Sequence, residues 1–84
     1  MRFEIEILRS AQRSLSRIQP QDQKRITEAI RALADEPRPQ GCIKLSGRDA
    51  WRIRIGNYRV IYEIQDDKLV ILIVAIGHRR EVYG

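Results

Sequence analysis

With 84 residues, 43% of them hydrophobic, the chain can bury one modest core and is too short for two. Its 16 lysines and arginines against 11 aspartates and glutamates leave a net charge of +5, which points first to a nucleic-acid or ribosomal surface and second to an anionic membrane or an acidic protein. The single Cys42 excludes an internal disulfide, no apolar run reaches ~18 residues, and no signal peptide opens the chain, so a cytosolic protein without a membrane partner is expected.

Taken in order, Arg2 to Leu8 alternates with period two, placing Phe3, Ile5 and Ile7 on one side of a half-buried strand. Ser10 is placed to cap a helix in which Ala11, Leu15 and Ile18 form the apolar stripe, with Arg9, Arg13 and Arg17 along another face. That stripe of arginines reads as a solvated helix face or as a contact to RNA backbone. Pro20 suits the first turn of a second helix and Asp22 its N-terminal dipole. Ile26, Ala29, Ile30 and Leu33 give its buried stripe up to Asp35, and Glu36-Pro37-Arg38-Pro39 stops it. The resulting αα-hairpin has one apolar side and needs a sheet to cover it. Cys42 to Leu45 is a short strand with Cys42 as a small filler, and Ser46 to Ala50 turns the chain.

The stretch from Trp51 to Tyr62 then alternates apolar and basic residues on either side of Gly56-Asn57, the pattern of a tight β-hairpin. Pairing Ile55 with Tyr58 sets Arg54 opposite Arg59, Ile53 opposite Val60, Arg52 opposite Ile61 and Trp51 opposite Tyr62. One face is then Trp51, Ile53, Ile55, Tyr58, Val60 and Tyr62, a core face; the other carries Arg52, Arg54 and Arg59. Like charges directly opposite one another destabilise a strand pair, so three guanidinium groups on one hairpin face imply an anionic partner more readily than a bare solvated surface. The surplus of charge lies in this half of the chain: residues 38–84 hold nine basic and five acidic side chains, residues 1–37 seven and six.

The strand continues through Ile64, Gln65 to Lys68 makes a second turn, and Leu69 to Ile76 is a nearly unbroken apolar run that reads as a central strand covered on both faces. Ile61 with neighbours such as Leu72 and Val74 is expected to leave an apolar patch beside the arginines, which predicts a protein partner. Gly77 to Gly84 forms the tail. The chain has no Walker loop, no GxGxxG, no Cys/His set for zinc and no Ser/His/Asp triad, and neither cofactor nor metal is expected. Its arginines, His78, Tyr83, Glu63 and Glu81 suit attack of an RNA 2′-hydroxyl on its own adjacent phosphate, where the substrate supplies the nucleophile.

The βααβββ(β) order, the Lys44-Leu45-x-Gly47 segment, the Trp51-Arg52-Ile53-Arg54 and Gly56 to Tyr62 hairpin, and the Gly77-His78-Arg79-Arg80-Glu81-Val82-Tyr83 ending together resemble the RelE branch of the RelE/ParE toxin superfamily. The resemblance covers essentially the whole chain. It implies a single α+β domain over residues 1–84, with the N-terminal strand and αα-hairpin packed on one face of a mainly antiparallel sheet. It further implies a type II toxin that cleaves mRNA in the ribosomal A site without metal, leaving a 2′,3′-cyclic phosphate. Its implied partners are a cognate RelB-like antitoxin and, through the antitoxin complex, operator DNA. Carried over position by position, the family's catalytic residues fall on Arg52, Arg54, Arg59, Arg79 and Tyr83, with Arg80 as the alternative to Arg79 and otherwise an RNA contact.

Arg52 and Arg54 stand where the best-studied branch has lysines. A guanidinium stays charged at any working pH and cannot serve as base, which makes His78 the candidate acid or base, or else a solvated strand-end histidine. Tyr83 could stack on a base, orient the 2′-hydroxyl, exchange a proton, or plug the sheet. Lys44, Arg48, Arg13 and Arg17 complete the expected RNA contacts. A ParE-like poison of DNA gyrase and a noncatalytic RNA- or ribosome-binding module are the competing functions.

Overall fold

In the computed structural model, which describes residues 2–78, the element order is β1 (Glu4–Ile7), α1 (Arg9–Ser16), α2 (Pro20–Leu33), β2 (Ile43–Lys44), β3 (Trp51–Ile55), β4 (Tyr58–Gln65) and β5 (Val70–His78). The five strands form one sheet in the order β1-β5-β4-β3-β2. The α+β expectation holds, and the path explains the order. The αα-hairpin carries the chain from one sheet edge to the other, and three antiparallel steps bring it back until β5 lies parallel to β1. Among the described residues no helix is long and apolar enough to cross a membrane.

Alternation in the strands and the helical stripe meet in one core. Ala11 of α1 and Ile26, Ile30 and Leu33 of α2 pack with Ile53, Val60, Tyr62, Ile71, Ile73 and Ile76 of the sheet, while Ile5, Ile7, Leu15, Ile18 and Cys42 flank them. Pro20 opens α2 as expected. Ser10 does not cap α1. The helix begins at Arg9 with Leu8 in the cap position, because the Leu8 amide donates to the Ile73 carbonyl (3.0 Å) and ends the parallel pairing there. Ser10 therefore lies inside the first turn, where its carbonyl accepts from Ser14 Oγ (3.2 Å).

The loop after α2 is pinned to the core side of the sheet. Tyr62 Oη donates to the Pro37 carbonyl (2.8 Å), Arg38 pairs with Asp66 (3.1 Å), and its guanidinium lies 5.1 Å from the Trp51 ring centre. Full burial pushes the Tyr62 phenol above its ordinary pKa, reinforced by Cys42 beside it and opposed by the charge of Arg38.

A register shift alters the expected apolar patch. Ile61 faces Ala75 but Tyr62 faces Ile73, so Val74 is the extra residue of a β-bulge, and Leu72 lies opposite Glu63 rather than beside Ile61. Ile61 is only 2% exposed, and Leu72 and Val74 are half-buried; the patch is smaller than alternation alone suggests. The turn before β5 spans 66–69, and Leu69 (φ 55°) belongs to it and not to the strand.

Candidate functional site

The hairpin register is the one the alternation requires. Ile55 pairs with Tyr58, Arg54 with Arg59, Ile53 with Val60, Arg52 with Ile61 and Trp51 with Tyr62. Gly56, at φ 61°, takes the first central position of the two-residue turn, and Leu69 is the only other-than-glycine residue with positive φ among those described. This is the type II′ arrangement, whose twist matches the strands it joins. Since Ile53, Val60 and Tyr62 are buried against the helices, Arg52, Arg54 and Arg59 project from the opposite face of the sheet. Arg54 is exposed; Arg52 and Arg59 are half-buried, with their Nε atoms shielded from solvent.

Directly opposed residues have Cβ atoms roughly 5 Å apart. Two like charges brought within roughly 5 Å of each other would repel by roughly 1 kcal/mol with water-like screening and about 3 kcal/mol at the effective dielectric of a protein surface. The opposed Arg54 and Arg59 make this part of the face attractive to an anion. Gly77 is the residue directly opposite Arg59 on β5. Glu4 and Glu6 of β1 share this face through Val70 and Leu72, as does Glu63 of β4. The face is polarised, with acids toward β1 and arginines toward the β3–β4 turn.

The other expected site residues fall elsewhere. His78 pairs with Tyr58, on the helix side of the sheet, with the two rings edge to face and their centres 5.9 Å apart. It is not brought together with the three arginines. It lines a cavity with Ser14, Arg17 and Ile18, which places Arg17 on that same side; Arg13, one helical turn earlier, is exposed. Lys44 is opposite Trp51 and so faces away from the arginines, with Nζ 3.9 Å from Asp49. Its neighbour Ile43, 48% exposed, is the β2 residue that stands beside Arg52. Arg48 is exposed in the connection preceding β3, at the end of that strand remote from Gly56. Arg79, Arg80 and Tyr83 lie outside the described residues.

Sequence reasoning missed Arg25. Its guanidinium reaches from α2 to the hairpin tip, where a Cβ on Gly56 would sit 3.5 Å from both terminal nitrogens, and it is 3.5 Å from Asp22. The Asp22/Arg25 spacing signals an intrahelical pair, but nothing local tells that this turn of α2 lies against the hairpin.

Known proteins agree with this architecture. A family model described as the ParE toxin of the type II toxin–antitoxin system parDE matches residues 5–83. A protein of Methanocaldococcus jannaschii that carries the name toxin RelE1 is 32% identical over 87 residues, spanning 99% of this chain and 97% of that one. The RelE–RelB complex of Pyrococcus horikoshii superposes with a TM-score of 0.84 at 30% identity, covering 94% of this chain and 97% of the matched chain. The intact Escherichia coli RelBE toxin–antitoxin complex shares the fold, with a TM-score of 0.80 at 19% identity over 90% of this chain and 95% of its counterpart. The chain is a RelE-like toxin of a type II toxin–antitoxin system and belongs to the RelE family of the RelE/ParE superfamily.

Proposed function

We propose that this toxin is a metal-independent endoribonuclease that cleaves mRNA in the ribosomal A site in the cytoplasm, with residues 1–84 acting as one toxin domain. The observation that carries the reading is the placement of Arg52, Arg54 and Arg59 on one sheet face, away from the helices. In the reaction the 2′-oxygen bonds to the adjacent phosphorus, its proton passes to a base, the bond from phosphorus to the 5′-oxygen breaks, and that oxygen takes up a proton. The products are a 2′,3′-cyclic phosphate and a 5′-hydroxyl. Charge accumulates on the non-bridging oxygens as the phosphorane forms, and guanidinium groups held before the reaction begins stabilise that charge without reorganising.

Arg54 and Arg59 fit the clamp on the phosphoryl oxygens, and Arg52, two residues along β3, fits a flanking phosphate. Arg79 is assigned to the same charge stabilisation, with Arg80 as a neighbouring contact. Arginine does not surrender its proton, and His78 faces the helices, so the proton transfers are assigned to Tyr83 with solvent. Inhibition is assigned to a RelB-like antitoxin, in line with the RelE–RelB and RelBE complexes of the relatives. The antitoxin would occlude the arginine face and carry the pair onto operator DNA.

The test is primer extension on mRNA in a purified translation system, with and without ribosomes, comparing wild type with Arg54→Ala, Arg79→Ala and Tyr83→Phe. Cuts within A-site codons that need ribosomes and fade in the variants are expected. The match to a ParE family model favours a second reading, a DNA gyrase poison acting by protein contact. Absence of cuts together with inhibition of gyrase supercoiling would move the assignment there.

A further inference from the structure

On the helix side of the sheet, where α1 ends over the neighbouring ends of β4 and β5, lies a cavity of about 330 Å³ lined by Ser14, Arg17, Ile18, Tyr58, Gly77 and His78. Among the described residues no acidic side chain lines it. Arg17 offers a planar fork of donors, the His78 ring an N–H and Tyr58 a hydroxyl, while Ile18 supplies an apolar wall. Such a set matches a phosphate group with its sugar.

The place of the cavity in the sheet identifies the source of that phosphate. Tyr58 pairs with His78, and the next pair, Arg59 with Gly77, faces the other way. The two anion-attracting surfaces are therefore back to back across one step of the β4–β5 ladder. We propose that the Arg17/His78/Tyr58 cavity is a second phosphate site, which holds a backbone phosphate of the same RNA strand whose reacting phosphate lies on the arginine face. The strand would wrap the end of β4 and β5. This rests on the endoribonuclease reading and deepens it. It gives His78 a binding role where its orientation denies it an acid–base role at the arginines, and it separates Arg17, which lines the cavity, from Arg13, which does not.

The experiment is NMR on the full chain at low salt, following the Arg Nε–Hε and His78 ring resonances. The probes are a 2′-O-methyl RNA hexamer, which lacks the attacking hydroxyl, and, separately, inorganic phosphate, each to millimolar concentration. Saturable shifts at Arg17, His78 and Arg54 with the hexamer are expected, and Arg17→Gln should weaken hexamer binding by roughly threefold to tenfold, the size of one partly screened charge-assisted contact. Shifts at Arg54 with Arg17 and His78 unmoved would overturn the second site and leave the endoribonuclease reading standing. Shifts at Arg17 and His78 with inorganic phosphate alone would make this a small-anion site and overturn the RNA assignment. No shift at any of the three would remove both the cavity and the arginine face as RNA surfaces.

Discussion

Arg59 occupies the most constrained position on the basic face, since it meets Arg54 across the hairpin and Gly77 across β5. Replacing it with alanine removes one of the three guanidinium groups from the arginine face. The expected result for Arg59→Ala is a loss of cleavage of about 10²–10³-fold with a cooperative urea transition retained. A cooperative transition displaced well to lower urea would show that the guanidinium supports the sheet instead. Tyr62 behaves in the opposite sense. Its phenol is buried and donates to the Pro37 carbonyl, so Tyr62→Phe should cost about 1 kcal/mol, more if the carbonyl is left dry. The folded state raises this phenol's pKa, so the contribution is fully present below the unfolded value of about 10 and declines as pH rises from there toward the folded value. Urea denaturation of wild type and Tyr62→Phe at pH 8 and at pH 10.5 should therefore show the gap between them narrowing at the higher pH.

Among the elements, the β3–β4 hairpin decides whether the arginines meet. Its turn needs positive φ at Gly56, which costs an L-residue roughly 1–2 kcal/mol, while a Cβ there would meet the Arg25 guanidinium at 3.5 Å, an ordinary van der Waals contact. Gly56→Ala should lower stability by about that amount and reduce cleavage further than the stability loss explains, because a slip of the turn separates Arg54 from Arg59. Thermal melts and primer extension on the same preparation measure the two effects. Helix α1 makes a contrasting case. Ser10 sits within its first turn and caps nothing, so Ser10→Ala should change stability by less than about 0.5 kcal/mol, whereas a true cap would cost about 1 kcal/mol.

These elements also show what alternation can and cannot convey. The face of each hairpin arginine follows from period two and a Gly-Asn turn, both local properties, and so was readable from the chain. Ser10 was misplaced because the start of α1 is set by a hydrogen bond from Leu8 to Ile73, far away in sequence. His78 enters the candidate set by its chemistry, as the one side chain that titrates near neutrality in its unperturbed form, whereas its side of the sheet is fixed by pairing with Tyr58 beyond the bulge at Val74. Arg25 was missed for the same kind of reason, since only tertiary packing brings α2 to the hairpin tip.

Over the whole molecule the charge is arranged along an axis of the sheet. Arg52, Arg54 and Arg59 lie toward the β3–β4 turn, while Glu4, Glu6 and Glu63 share the same face toward β1. A polyanion is attracted to one half of this face and repelled by the other, which fixes where a strand lies before any base is read. Each phosphate neutralised on a single strand releases counterions with a slope of roughly 0.7 in log affinity against log salt. Three contacts on the arginine half predict a slope of about −2 for a noncleavable 2′-O-methyl RNA, and a fourth phosphate in the Arg17 cavity steepens it to about −3. Arg54→Gln and Arg17→Gln should each reduce the magnitude by about 0.7, independently of one another because they act on opposite faces of the sheet. Fluorescence anisotropy between 50 and 300 mM salt measures the slopes of the wild type and both variants. If Arg54→Gln left the slope of the wild type intact, the RNA would lie off the arginine face and the hairpin could not be its clamp. If the acid-neutralising change Glu63→Gln tightened binding at 50 mM salt and the gain faded toward 300 mM, the acidic half would be acting at a distance, as the polarised face requires.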